Sequence, residues 1–109
     1  MAPLPPSPAQ YTDFLAAHGA FEGFTTGEGR PSYVALWPIE DIPGNNADIQ
    51  IENDAPGFVA FAGDGGGEVL AFDASGAVFL LPLIGMEPQY AAKVADSFAE
   101  LEARFENAI

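Results

Sequence analysis

The chain has 109 residues, the size of one domain whose core can bury roughly two-thirds of the surface exposed when unfolded. Sixteen acidic residues stand against three basic ones, Arg30, Lys93 and Arg104, for a formal net charge of −13; this excludes nucleic acid and anionic membranes as partners, since both are held by Lys and Arg, and suits equally a basic protein partner or plain solubility and adaptation to salt. The absence of cysteine excludes disulfides, thiolate nucleophiles and cysteine-based zinc sites, and suits a reducing cytoplasm, where the protein is expected to act.

The N-terminal MAPLPPSPAQ has no basic region followed by an apolar stretch, so no secretory signal is expected, and no apolar run is long enough to span a bilayer. Residues 1–6 read as an extended lead-in. Ser7 is placed as a helix cap with Pro8 at the first helical position. Tyr11, Phe14, Leu15 and His18 follow at the spacing of one helix face, and Gly19 is a C-terminal stop. Phe21 to Thr25 reads as a short strand, with Gly27, Gly29 and Pro31 bracketing a turn. Tyr33 to Trp37 is rich in strand formers and ends at Pro38, which cannot donate a ladder hydrogen bond. A short helical turn is expected from Pro38 to Asp41. Pro43-Gly44-Asn45-Asn46 reads as a loop, and Asp48 to Glu52, with Ile49 and Ile51 alternating, as a half-exposed strand or loop edge. Asp54-Ala55-Pro56-Gly57 reads as a turn.

Three apolar runs follow, Phe58–Ala62, Glu68–Asp73 and Ala77–Leu83. Their nearly continuous apolar character predicts central strands covered on both faces. An antiparallel meander with helices on one side accounts for it. In the turn Asp73-Ala74-Ser75-Gly76, Asp can bond its own backbone and Gly can take a positive φ. Near the C-terminus, Val94, Phe98, Leu101 and Phe105 recur at helical spacing. Ser97 and Glu100 form a capping box, and Glu100 precedes Arg104 by one favourable helical step. A helix is therefore expected from Ser97 to about Asn107, with Tyr90–Ala95 either a helical turn or an edge strand. The fold class is α+β: one domain over residues 1–109, with a central, mostly antiparallel meander sheet flanked by N-terminal and C-terminal helices.

No catalytic signature emerges. Gly63-Asp64-Gly65-Gly66-Gly67-Glu68 lacks the Lys and Ser/Thr of a phosphate loop, fails the dinucleotide spacing at Glu68, and carries two carboxylates that repel phosphate; it reads as a strand connection. Asp64, Glu68 and Asp73, or Asp48, Glu52 and Asp54, offer oxygen ligands, but neither set matches a calcium loop, and such clusters arise by chance in so acidic a chain. His18, the single histidine, has no assignable nucleophile or second base, and nothing picks out a catalytic carboxylate pair. It reads as a packing residue or a cation at a helix C-terminus. Trp37 reads as a core strand residue rather than an exposed anchor. No cofactor and no metal are expected.

Taken in order, several pieces resemble the SUKH superfamily, the Smi/Knr-like group. They are Leu4-Pro5; Tyr11-Thr12-Asp13-Phe14-Leu15; His18-Gly19, where that family often has Asn-Gly; Leu36-Trp37-Pro38 with acidic residues after it; Phe58 through Gly63-Asp64-Gly65-Gly66-Gly67-Glu68; Asp73-Ala74-Ser75-Gly76; and Ala95 through Leu101. The resemblance spans nearly the whole chain. Its most specific part is the apolar strand entering Gly-Asp-Gly-Gly-Gly-Glu, joined to the late Ser-Phe-Ala-Glu-Leu. The resemblance implies an α+β fold, tips Tyr90–Ala95 toward a strand, and carries no catalytic site. It implies a protein-binding role, commonly that of a bacterial immunity protein that neutralises a secreted toxin, in many cases a nuclease. A nuclease needs a cationic groove, which an acidic surface can occupy. Glu40, Asp41, Asp48, Glu52, Asp54 and Asp64, in or near expected turns, are the candidate partner-binding residues. The alternatives are a regulator or scaffold that binds an endogenous partner, and an enzyme acting on a basic substrate.

Overall fold

Each strand pairs with the next one along the chain. A computed structural model describes residues 4–27 and 32–106. The strands β1 (Glu22–Phe24), β2 (Tyr33–Leu36), β3 (Val59–Gly63), β4 (Glu68–Phe72), β5 (Val78–Pro82) and β6 (Ala92–Ala95) form one six-stranded sheet in that order. All five pairings are antiparallel. Four helices flank the sheet: α1 (Ala9–His18), α2 (Ile42–Asp48), α3 (Ile51–Asp54) and α4 (Phe98–Glu102). The meander, the antiparallel order and the flanking helices follow the α+β expectation. Tyr90–Ala95 resolves into a 3-10 turn at Pro88–Tyr90 followed by β6. The expected turn bounded by Gly29 and Pro31, and the expected helix end at Asn107, lie outside the described residues, as do residues 1–3 of the lead-in.

Side-chain alternation gives the sheet two covered faces. On one, Val34, Leu36, Val59, Phe61, Leu70, Phe72, Val78 and Leu80 pack against Tyr11 and Phe14 of α1 and Phe98 and Leu101 of α4. On the other, Ala60, Val69, Ala71 and Leu81 pack against Ile51, Ala55 and Met86. Helices therefore lie on both sides, not on one. A bulge in β3 between Ala60 and Ala62 breaks strict alternation, so Phe61 and Ala62 both join the first core.

The second face is covered by the segment expected to be loop and half-exposed strand. Pro43 instead sits in the first turn of α2, where its missing N–H has no partner to lose. Ile42 and Asn46, one helical step apart, are both buried. Gln50, at φ +56, breaks the path between α2 and α3 and lets Ile51 turn inward. Ile49 and Ile51 therefore alternate because of a helix–turn–helix, not because of a strand.

Two buried polar side chains fasten this arrangement. Asn46 Nδ2 donates to the carbonyls of Ile42 (2.7 Å) and Ala60 (2.9 Å), and the Ala60 N–H donates to Asn46 Oδ1 (2.8 Å). The β2–β3 pairing covers only Ala35↔Gly63 and Leu36↔Ala62. Beyond it, the Asn46 amide serves Ala60 as a further strand would. The Tyr11 hydroxyl lies 2.6 Å from the Trp37 carbonyl and 3.1 Å from the Phe61 carbonyl, at the point where β2 leaves β3. Its ring makes edge contacts with Phe61, Phe72 and Phe98.

Burial pushes the Tyr11 phenol far above its ordinary range, against the lowering effect of its hydrogen bond to the Trp37 carbonyl. A phenol held neutral by the fold stabilises it below the unfolded value near 10, and that contribution is lost as pH rises beyond it. Stability is therefore expected to fall above about pH 10, by up to about 1.4 kcal/mol per pH unit for this group. Tyr11→Phe should flatten the fall while costing about 1 kcal/mol at neutral pH through the lost hydrogen bond. Tyr33 is also raised, first by its hydrogen bond to Glu22, so Tyr33→Phe is the control. Denaturant melts from pH 8 to 11.5 check this, and an unchanged alkaline slope in Tyr11→Phe would contradict it.

Both ends of the chain depart from the helix expectations in instructive ways. Pro8, not Ser7, occupies the N-cap of α1, with no side-chain cap, and the Pro8 carbonyl accepts from Tyr11 and Thr12. The Ser97 half of the capping box at α4 forms, with Ser97 Oγ accepting from the Glu100 N–H, while the Glu100 carboxylate accepts from the Asp96 N–H, one residue before the cap, rather than from Ser97. That helix stops at Glu102 because the tail is taken up by the sheet. Phe105 stacks on Phe21 at 4.4 Å and bridges to Thr25. Arg104 Nε donates to the Thr26 carbonyl at 2.8 Å. Residues 104–106 thereby cover the open edge of β1.

Candidate functional site

The glycine-rich connection and α2 meet over Trp37. Asp64 Oδ1 accepts from the Gly66 and Glu68 N–H groups, which closes the β3–β4 loop on itself. Gly65 takes φ +81 with Tyr33 so near that an added Cβ would lie 2.8 Å from the ring. The glycines thus serve a tight connection packed on β2, as the strand-connection reading expected. The next turn is built alike. Asp73 Oδ1 accepts from the Ser75 N–H and hydroxyl and from the Ala77 N–H, with Gly76 at φ +89. Partial burial alone raises the Asp73 carboxyl, but these hydrogen bonds outweigh it and hold the group below the usual carboxylate range. Both aspartates have structural work in their turns.

Between the loop and α2 lies a cavity of about 350 Å³. Trp37, Ile49, Val69 and Leu83 supply its apolar wall, and Asp48, Asp64 and Glu68 its carboxylates. Trp37 is half-buried and packs against both core clusters, so one side of its ring belongs to the core and another to this hollow. No three His, Asp or Glu side chains among the described residues are placed to share a metal ion.

The structure distributes the six candidate acidic residues unevenly. Asp48 and Asp64 meet at this cavity. Asp41 precedes α2, and Asp41, Asn45 and Asp48 fall at the spacing of one helix face. Asn45 lines the same cavity. Glu40 lies at a separate hollow of about 310 Å³ between the end of α1 and Pro38-Ile39. Glu52 borders a third, of about 220 Å³, beside Asn46, Gln50 and Asn53. Asp54 is exposed at the end of α3. Five of the six therefore ride on one segment, residues 39–54, and the sixth faces it from the β3–β4 loop. Sequence reasoning missed Glu68 and Trp37 as members of the same hollow, because only the fold brings β2, β4 and α2 together. An acidic residue opening β4 and a Trp closing β2 were the available signals.

Among the described residues, the few positive charges are engaged. Lys93 on β6 pairs with Asp96 at 2.5 Å, and that hydrogen bond, more than the charge attraction, holds its ammonium above the usual range. Arg104 is engaged at the β1 edge. His18 is exposed at the end of α1 and rests on the Phe14 ring, 4.9 Å between centroids. No helix among the described residues is long and apolar enough to cross a membrane.

The family model described as the SMI1 / KNR4 family (SUKH-1) matches residues 7–104, nearly the whole chain. No curated protein sequence matches the chain.

Proposed function

Because the chain belongs to the SMI1 / KNR4 family (SUKH-1), whose members are commonly immunity proteins, we propose that it is a non-catalytic, cytoplasmic protein-binding domain that captures a basic toxin domain and blocks it. The observation that carries this reading is the run of acidic side chains along residues 39–54, with Glu40, Asp41, Asp48 and Asp54 exposed and Glu52 half-buried. Asp64 faces them from the β3–β4 loop. A nuclease toxin must keep a cationic groove for phosphates, and a surface of this sign competes for that groove and is drawn to it. Steering of this kind raises association rates about 10- to 1,000-fold.

The test is protection of growth. Cells producing the toxin-like domain encoded by a neighbouring gene should survive when this chain is co-produced. The combined variant Glu40→Gln, Asp41→Asn, Asp48→Asn and Glu52→Gln should lose that protection while keeping its melting temperature within a few degrees, since surface changes of this kind cost about 0.5 kcal/mol or less each. Full protection by the folded variant would rule out the acidic segment as the binding surface.

A further inference from the structure

The cavity beside Trp37 has a composition that an unspecialised acidic surface lacks. Trp37 and three aliphatic side chains line a hollow that three carboxylates also border. Trp37 is the single tryptophan of the chain. Its indole N–H has no acceptor among the described residues and is not among any buried, unpaired side-chain nitrogens. It is therefore accessible to solvent. A Cβ at Gly63 would lie 4.0 Å from Nε1, an ordinary contact, so this nitrogen sits beside the Gly63 side of the hollow. Asp48, at the end of α2, is exposed and has no hydrogen-bond or ion-pair partner among the described residues. Asp64 and Glu68 add negative potential on the opposite wall, whatever their own contacts.

We propose that this cavity is the anchor point for one arginine side chain of the basic partner, its guanidinium lying against the Trp37 ring and paired with Asp48. The inference rests on the partner-binding reading above and names the contact at its centre. Charge complementarity chooses a cation. The flat aromatic wall beside a carboxylate chooses arginine over lysine, because a planar guanidinium can stack on a ring and bond a carboxylate at once. A backbone carbonyl next to that arginine is the natural acceptor for the indole N–H.

The probe is acetyl-Gly-Arg-Gly-amide, with the citrulline peptide as a neutral isostere, titrated while the single indole N–H resonance is followed by NMR. The arginine peptide should shift that resonance saturably and bind at least about five-fold more tightly than the citrulline peptide, the discrimination expected of one cation–π and ion-pair contact. Asp48→Asn should weaken it about five-fold. Asp13→Asn, exposed on α1 and outside this hollow, should change nothing. An indole resonance that does not move, equal binding of the two peptides, or an Asp48→Asn variant that binds as the parent does would each overturn the proposal. Binding of a toxin domain with the Trp37 resonance unmoved removes the arginine anchor and leaves the immunity reading. Saturable arginine binding without any protection from a toxin supports the anchor and removes the immunity reading.

Discussion

Phe98→Ala is expected to cost about 4 kcal/mol of folding stability, the middle of the range for deleting a buried phenyl ring. Phe98 is fully buried, and its ring meets Tyr11, Phe14, Phe61, Phe72 and Phe105. It is the residue through which α4, α1, the middle of the sheet and the C-terminal tail share one core. No neighbour can collapse into the space without leaving its own partners, so the cavity persists. Marginal stability of about 5–15 kcal/mol makes such a loss severe. The melting temperature should drop by roughly 15–25 °C, and Phe98→Leu should lose far less. A drop of only a few degrees in Phe98→Ala would mean that the aromatic cluster is not the main core.

Asn46→Ala is expected to cost about 3 kcal/mol, although it removes only a short side chain. The Ala60 N–H would lose the acceptor described above and the Ala60 carbonyl its donor, in a site where both are buried. Each orphaned buried group costs about 1–3 kcal/mol. The change also frees α2 from β3, and α2 carries Asn45 and Asp48 to the cavity. Amide exchange separates this from a general loosening. The Ala60 N–H should exchange far faster in the variant than amides at the β4–β5 pairing. Unchanged protection at Ala60 would contradict the role assigned to Asn46.

Apolar runs and turn chemistry made most of this architecture legible. β3, β4 and β5 lie within a residue or two of the segments marked by continuous apolar side chains. The turn at Asp73–Gly76 forms with the hydrogen bonds its residues imply. Ser97 caps the last helix through the Glu100 N–H as expected. What was not legible depended on partners distant in the chain. Pro43-Gly44-Asn45-Asn46 has the composition of a loop, and it is helical because Ile42 and Asn46 find the sheet. The last helix stops early because Phe105 finds Phe21 and residues 104–106 find β1. Helix propensity loses in both places to a contact that no local window contains.

The candidate site divides in the same way. Net charge pointed to acidic residues in connections, and five of the six named share residues 39–54. Charge alone could not distinguish a carboxylate with structural work from one available to a partner. Asp64 shows the difference, since its side chain closes the β3–β4 loop. Nor could the sequence place Trp37 at the hollow, because its position depends on α2 crossing the end of β2. The proposed contact surface is thus narrower than the acidic composition implies, and its centre is apolar.

The central claim is that a basic partner is drawn to this acidic segment. It is tested most directly by the association rate between the chain and a toxin-like domain found encoded by a neighbouring gene, followed by stopped-flow from 50 to 500 mM NaCl. Screening shortens the reach of exposed charges to about 4 Å at the upper end. The rate should therefore fall about ten-fold or more, with the dissociation rate changing much less. The combined variant at Glu40, Asp41, Asp48 and Glu52 should start slower and respond less to salt. An association rate that is indifferent to salt, or a variant with the parent's rate and slope, would contradict the account.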